Sequence, residues 1–361
     1  VYPATVTLGK AAICDTGVKV SWSAAKNADS YNVYRKLSTD SSWTLLKAHT
    51  KGTSFTDTTC VSGKTYVYTV RGYNSEFKTL SQSFDKTGLS FTFLSSPQNL
   101  KVAYTASGVT VKWSAVTGAN KYYIYRKPAS GGSYTQLGIS TTTSYTDTAM
   151  SPGTEYYYTV RAYNNASKLK SWYISPGVWA YFVKAPAVKS ASVTTGIKLT
   201  WGSIDQAESY RIYRKTASGK YTVIQDNYTG TSYIDKTATA GTLYYYAVKA
   251  YDSSQDMFSS FTAASGVWMK APTVKVAASS GKVVVAWTRA AGAQGYKVFR
   301  KVSGGSWKLI KTITSGTTLK YTDTTAVKGT TYYYTVRPYT KISGSLIYGL
   351  YNTAGVSVKA K

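Results

Sequence analysis

Histidine occurs once, methionine three times and cysteine twice in 361 residues, and each scarcity removes a class of chemistry. With His49 alone, a Ser-His-Asp or Cys-His arrangement cannot be built more than once, and its KAHTKG surroundings suggest a solvated ring in a turn. Cys14 and Cys60 match neither a zinc motif nor a CxxC redox pair. There is no glycine-rich phosphate loop, no HExxH and no D-x-D-x-D calcium loop, so nothing asks for a metal or cofactor and no enzyme is expected. No apolar run reaches the ~18 residues of a membrane span. Acids are also scarce: 15 Asp and Glu face 43 Lys and Arg, a formal net charge of +28. Such a field attracts polyanions, from nucleic acid to sulfated glycans and teichoic acids, or simply keeps a tyrosine-rich surface soluble.

What the chain has in plenty is tyrosine, 35 residues of it, in a composition whose 43% hydrophobic content excludes a disordered polymer and favours strand over helix. The string YYYTVRAY at 156–163 recurs as YVYTVRGY at 66–73, YYYAVKAY at 244–251 and YYYTVRPY at 332–339, at intervals of 90, 88 and 88 residues. An internal repeat of that length predicts four domains, 1–94, 95–184, 185–270 and 271–361, meeting near Pro97, Pro186 and Pro272. Their net charges are +5, +7, +3 and +13, and Asp323 is the only acid of the fourth, which makes domain 4 the candidate for polyanion contact. A start at Val1 and an end in VKAK suggest a piece of a larger or processed protein.

Walking back from each tyrosine string, the same landmarks appear. Trp22, Trp113, Trp201 and Trp287 are each followed nine residues later by Tyr31, Tyr122, Tyr210 or Tyr296, then by an arginine-lysine pair in YNVYRK, YYIYRK, YRIYRK and YKVFRK. A turn carrying Trp43, Tyr134, Tyr221 or Trp307 comes next, then Asp57, Asp147, Asp235 or Asp323, read as accepting backbone N–H bonds at a turn. Gly63, Gly153, Gly241 and Gly329 precede the tyrosine strings. The segments alternate apolar and polar residues with period two between Gly, Ser, Asn and Asp, the pattern of half-buried antiparallel strands. About seven such strands per repeat, with no helical period, predict a two-sheet sandwich.

The tryptophan, the tyrosine strand after it and the G-x-x-Y-x-Y-x-V string together resemble the fibronectin type III family, in register, four times over the whole chain. The resemblance implies an all-β chain of four tandem seven-stranded immunoglobulin-like sandwiches in an elongated array, with Tyr66, Tyr156, Tyr244 and Tyr332 as tyrosine corners bonded to the preceding loop. In style the lysine-rich copies are similar to those of Gram-positive bacterial surface and secreted proteins, which implies an extracellular, secreted or wall-attached segment. No RGD string occurs, so the family's best-known integrin ligand is missing. NAS at 165–167 and NYT at 227–229 match the glycosylation sequon, at the frequency chance supplies. In this fold the loops holding Cys14 and Cys60 share one pole, which makes the pair a disulfide candidate. GVWAYFVKAP and GVWMKAP run from last strand to next domain without a flexible linker, so a stiff string is expected, with Trp179 and Trp268 packing either at the junctions or within their strands.

Two regions are candidates for binding. Alternation points Tyr157, Thr159, Arg161 and Tyr163 outward, beside Tyr123, Tyr125 and Lys127 of the neighbouring strand; this face either meets a partner or stabilises the sheet by cross-strand pairing. The repeats diverge most just after the tyrosine string, in a loop holding Phe77, Trp172, Tyr173, Met257, Phe258, Ile347 and Tyr348, each of them a core or a contact residue. The sequence thus predicts a non-enzymatic, monomeric adhesion segment that contacts a host or cell-surface protein or glycan, an immunoglobulin or other glycoprotein among them. The alternatives are a rigid spacer holding an enzyme or carbohydrate-binding module away from the wall, and polyanion or wall-glycan binding by domain 4. Nucleic acid is not the expected partner.

Overall fold

A computed structural model describes all 361 residues. Its regular structure is entirely strand, and no helix is long and apolar enough to cross a membrane. The chain divides into two compact units, Val1–Phe182 and Val183–Lys361. Each unit holds two repeats, and each repeat folds one three-stranded and one five-stranded antiparallel sheet.

The second repeat shows the plan. Lys101–Tyr104, Val109–Lys112 and Ser144–Asp147 make the smaller sheet. In the larger one Thr135–Ser140 pairs with Lys121–Pro128, which pairs with Glu155–Asn164. The far edge of Glu155–Asn164 is then shared by two short strands, Leu169–Lys170 and Val178–Tyr181. The seventh strand expected from the sequence is therefore broken in two, and the residues between its halves form a loop that matters below.

Alternation decides which side chains meet between the sheets. Tyr156, Tyr158, Val160 and Ala162 are buried, against Ile124, Val109, Val111 and Trp113. Each fully buried aliphatic side chain of this size contributes about 1.5–3 kcal/mol. Trp113 meets Tyr122 edge-on with ring centroids 5.3 Å apart, and the Tyr122 hydroxyl accepts the Val116 N–H at 3.0 Å. The corner expected at Tyr66 is present, its hydroxyl accepting the Val61 N–H at 3.0 Å; Tyr244 and Tyr332 accept from Thr239 and Val327 at 3.3 Å.

The second tyrosine of each string does something the sequence reading left out. Asp147 accepts the Ala149 N–H at 2.9 Å, the turn role expected of it, but its other oxygen takes the Arg126 guanidinium at 2.6 Å and the Tyr158 hydroxyl at 2.7 Å. Arg35, Asp57 and Tyr68, then Arg214, Asp235 and Tyr246, then Arg300, Asp323 and Tyr334 repeat the arrangement. The arginine of each YRK pair is thus tied inward, and only the lysine remains for the outer face.

Cys14 and Cys60 are both free thiols in this structure. Cys14 donates to the Gly17 carbonyl at 3.3 Å, while Cys60 contacts a carboxylate oxygen of Asp57 at 3.2 Å and the Tyr68 hydroxyl at 3.1 Å. Burial, its largest influence, pushes the Cys60 thiol up to about 12. His49 lies in the strand Thr44–Thr50 rather than in a turn, its ring 4.0 Å from that of Tyr73.

Trp179 and Trp268 pack within their own repeats. Trp179 stacks on Tyr181, with centroids 6.4 Å apart, and the Trp268 indole donates to the Val193 carbonyl at 2.9 Å. In the unit Val183–Lys361, contact across the repeats falls instead to fully buried Met269, whose carbonyl accepts the Leu350 N–H at 3.0 Å.

Candidate binding cleft on the outer sheet face

The outer face of the five-stranded sheet is assembled from residues that face each other across strands. In the second repeat Tyr123 stands opposite Arg161, Tyr125 opposite Thr159 and Lys127 opposite Tyr157. All six point away from the core, as alternation predicts, yet Thr159 is only 1% exposed. The cover is the loop between the two halves of the last strand, which folds back across the face. The Thr159 hydroxyl donates to the Ile174 carbonyl at 2.8 Å, Arg161 Nε to the Ser171 carbonyl at 2.7 Å, and the Ser171 hydroxyl accepts the Ala162 N–H at 2.9 Å. Gly177 closes the loop at φ +89°, where a Cβ would lie 2.0 Å from the Tyr158 carbonyl oxygen, so no other residue fits without moving the strand.

The two regions that the sequence kept apart, face and variable loop, are therefore one site. Tyr173 is carried over the sheet to within 5.7 Å of Tyr134 between ring centroids, at 70° to it, and stacks on Trp172 at 5.5 Å. The Tyr134 hydroxyl donates to the Pro176 carbonyl, tying the turn to the loop. Burial, with Tyr173 and Tyr157 nearby, lifts the Tyr134 phenol to about 12. Lys127 Nζ lies 5.2 Å from the Tyr134 ring and Arg161 6.0 Å from that of Tyr173. Between these groups is a cavity of about 410 Å³.

The arrangement recurs. In the first repeat Lys36 lies 5.1 Å from Trp43, Arg71 5.5 Å from Phe84, and the two aromatics 6.3 Å apart, around a smaller cavity of about 160 Å³. The third pairs Lys215 with Tyr221 at 5.1 Å and Lys249 with Phe261 at 5.7 Å. In the fourth Lys301 lies 4.9 Å from Trp307 and Arg337 5.2 Å from Tyr351. Each such pair is worth about 0.5–1 kcal/mol where exposed, so the ladders stabilise the sheet while leaving cations and ring faces at the surface.

The remaining sequence candidates scatter around this site. Tyr163 and Tyr123 share the cation of Lys121, 4.7 and 5.8 Å from their rings. Phe77 is 47% exposed in the turn after the long strand and stands apart from the cleft. Met257 and Phe258 form a two-residue edge strand, with Arg211 4.4 Å from the Phe258 ring. Ile347 and Tyr348 belong to the strand Ser345–Tyr348, where the Tyr348 hydroxyl accepts from Lys297 at 2.7 Å. These four pair with the sheet edge instead of projecting from a free loop. Missing from the candidates was the turn aromatic, Tyr134 and its counterparts, whose regular recurrence before the Asp was the available signal.

Comparison with known proteins gives this geometry a setting. Residues 95–175 match the fibronectin type III domain. Exoglucanase B of Cellulomonas fimi is 29% identical over 291 residues, 72% of this chain but 25% of that enzyme. Tenascin of Gallus gallus is 31% identical over 160 residues, 42% of this chain and 9% of tenascin. Among solved structures, an Fn3-like protein from Clostridium thermocellum is 30% identical over 23% of this chain and 90% of its own, with a TM-score of 0.21. The chain thus spans a quarter or less of these two relatives' length. Residues 95–175 form a fibronectin type III domain, and the other three repeats carry the same all-β, two-sheet strand order.

Proposed function

We propose that the chain is a non-catalytic binding segment of an extracellular protein, holding a host or cell-surface glycoprotein or glycan through the clefts on its outer sheet faces. The observation that carries this reading is the recurrence, in all four repeats, of a lysine and a second cation beside two aromatic rings, one ring contributed by the most variable loop. Cations and aromatic faces exposed on a rigid scaffold are common anchors of recognition. An extracellular setting is supported by the likeness to exoglucanase B and to tenascin. The test is retention from serum and mucosal secretions on the immobilised chain, beside a chain with Lys36, Lys127, Lys215 and Lys301 all changed to Glu. Specific retention that the quadruple variant loses is expected; recovery of nothing specific overturns the reading.

A spacer reading is favoured by one feature, the tight seat between consecutive repeats inside each unit. In Val1–Phe182 the Ser62 hydroxyl donates to the Thr117 carbonyl at 2.8 Å, and a Cβ on Gly118 would come within 2.5 Å of the Gly63 Cα. In Val183–Lys361 Gly292 stands against Gly241 in the same way, at 2.7 Å. A spacer binds nothing saturably, so the same retention experiment separates the two.

A further inference from the structure

The cavity of the second repeat differs from that of the first in size, and its lining narrows the ligand. About 410 Å³ falls within the ~300–1,000 Å³ of small-molecule sites, whereas the 160 Å³ space of the first repeat, walled by the larger Trp43 indole, does not. Gly132, on the rim, has φ +92° with open space around it. No carboxylate lines the cavity. The repeat's two acids are Asp147, buried and already paired with Arg126, and Glu155. Lys127 and Arg161, by contrast, make no salt bridge and present two cations to the interior. The Tyr134 and Tyr173 rings stand at 70° to one another as two walls, and the bond from the Tyr134 hydroxyl to the Pro176 carbonyl fixes the first of them.

We infer that this cavity binds a uronate residue of an acidic glycan, with the carboxylate between Lys127 and Arg161 and the sugar ring against Tyr134 and Tyr173. The guanidinium and ammonium donors suit a carboxylate, forming charge-assisted hydrogen bonds about twice as strong as neutral ones. The negative faces of the tyrosine rings attract the partly positive C–H groups that a pyranose carries on one side. Tyr125, whose hydroxyl accepts from Lys170 at 3.2 Å, brings a further hydroxyl to the lining for the sugar's own hydroxyl groups. The two tyrosine rings beside the cations suit the C–H face of a pyranose, which an acidic peptide side chain lacks, and this favours a sugar over an acidic peptide. This inference rests on the binding reading above and names the ligand class for one of its clefts.

The test is calorimetric titration of the whole chain with trigalacturonate, and with maltotriose and hexaglutamate as the neutral-sugar and acidic-peptide comparisons. Saturable binding of trigalacturonate is expected, with little or none of the other two. Lys127→Glu is expected to weaken it at least about tenfold, the loss of one charge-assisted contact. Ser133→Trp, which fills the cavity from its rim, is expected to abolish it, and Lys51→Glu, at an exposed lysine of the first repeat, to leave it unchanged. Unchanged melting temperatures show that the variants fold. Absence of saturation, retention of full affinity by Ser133→Trp or Lys127→Glu, or equal binding of hexaglutamate or maltotriose overturns the inference. If secretions still yield a partner while trigalacturonate does not bind, the ligand class fails alone; if neither binds, the binding reading fails with it.

Discussion

At the scale of single residues, the Arg-Asp-Tyr cluster is the most consequential feature that the structure adds. Asp147 is 3% exposed and holds a cation and a phenol at once, so Asp147→Ala leaves Arg126 without its counter-charge. The expected cost is about 3 kcal/mol, at the lower end for buried pairs because Arg126 keeps 18% of its side-chain surface in water. Tyr158→Phe removes one donor and is expected to cost about 1 kcal/mol. Denaturant titration of both variants checks the ratio. The clusters also set the pH range. Burial raises the Asp57 carboxyl, but hydrogen bonds from the Thr59 hydroxyl and amide, then from Tyr68 and Cys60, outweigh it and hold the group at about 2. Asp235 and Asp323 are lowered for like reasons. A depressed carboxyl stabilises the fold above its unfolded value of about 4 and loses that contribution as pH falls toward 2. Tyr68, Tyr158, Tyr246 and Tyr334 are raised, first by burial and then by their bonded partners, so the opposite sign applies: their contribution is complete below about pH 10 and is lost as pH rises further. Melting temperature against pH is therefore expected to be flat from about 5 to 9 and to fall on both sides.

At the scale of elements, the loop between the halves of the last strand decides what the outer face is. Two of the supports of its seat are the Thr159 hydroxyl on the Ile174 carbonyl and the left-handed backbone at Gly177. Thr159→Val is expected to cost about 1 kcal/mol. Gly177→Ala adds a methyl where there is no room and a φ that alanine resists, and about 2 kcal/mol or more is expected. Limited proteolysis is the measurement, with faster cutting between 171 and 177 in the second variant. The alternation that made Tyr157, Thr159 and Arg161 outward residues was legible in the string YYYTVRAY. The burial of Thr159 was not, because the loop above it is held by backbone carbonyls, which every residue has and no pattern marks. The third repeat shows the dependence from the other side: it has Ala247 and Lys249 where the second has Thr159 and Arg161, so it lacks both side-chain ties to the loop.

At the scale of the whole molecule, consecutive repeats inside each unit meet through glycines. Gly118→Val places two methyl groups against the Gly63 backbone and is expected to loosen that contact, read as faster hydrogen exchange at the Ser95 amide, which donates to the Ser62 hydroxyl. Charge is the other molecular property. The fourth repeat holds 14 basic residues and a single acid, and that acid is bonded to Arg300. Retention on a sulfated polymer is expected to reside in residues 271–361 and to collapse between about 50 and 200 mM salt, while a loss caused by Lys127→Glu in the second repeat persists.

Periodicity and repetition in the sequence were enough to determine the strands, the two faces of each, the four-fold repeat and the identity of the core tyrosines, because burial imposes a period of two and every copy obeys it. Which oxygens and cations meet was decided only by the tertiary structure. Asp147 on one sheet finds Arg126 and Tyr158 on the other, and Tyr173 finds Tyr134 across a broken strand. Such contacts depend on the distance between elements, not on the order of residues within one. That is why a face and a loop that looked like alternatives along the chain close into one cleft in space.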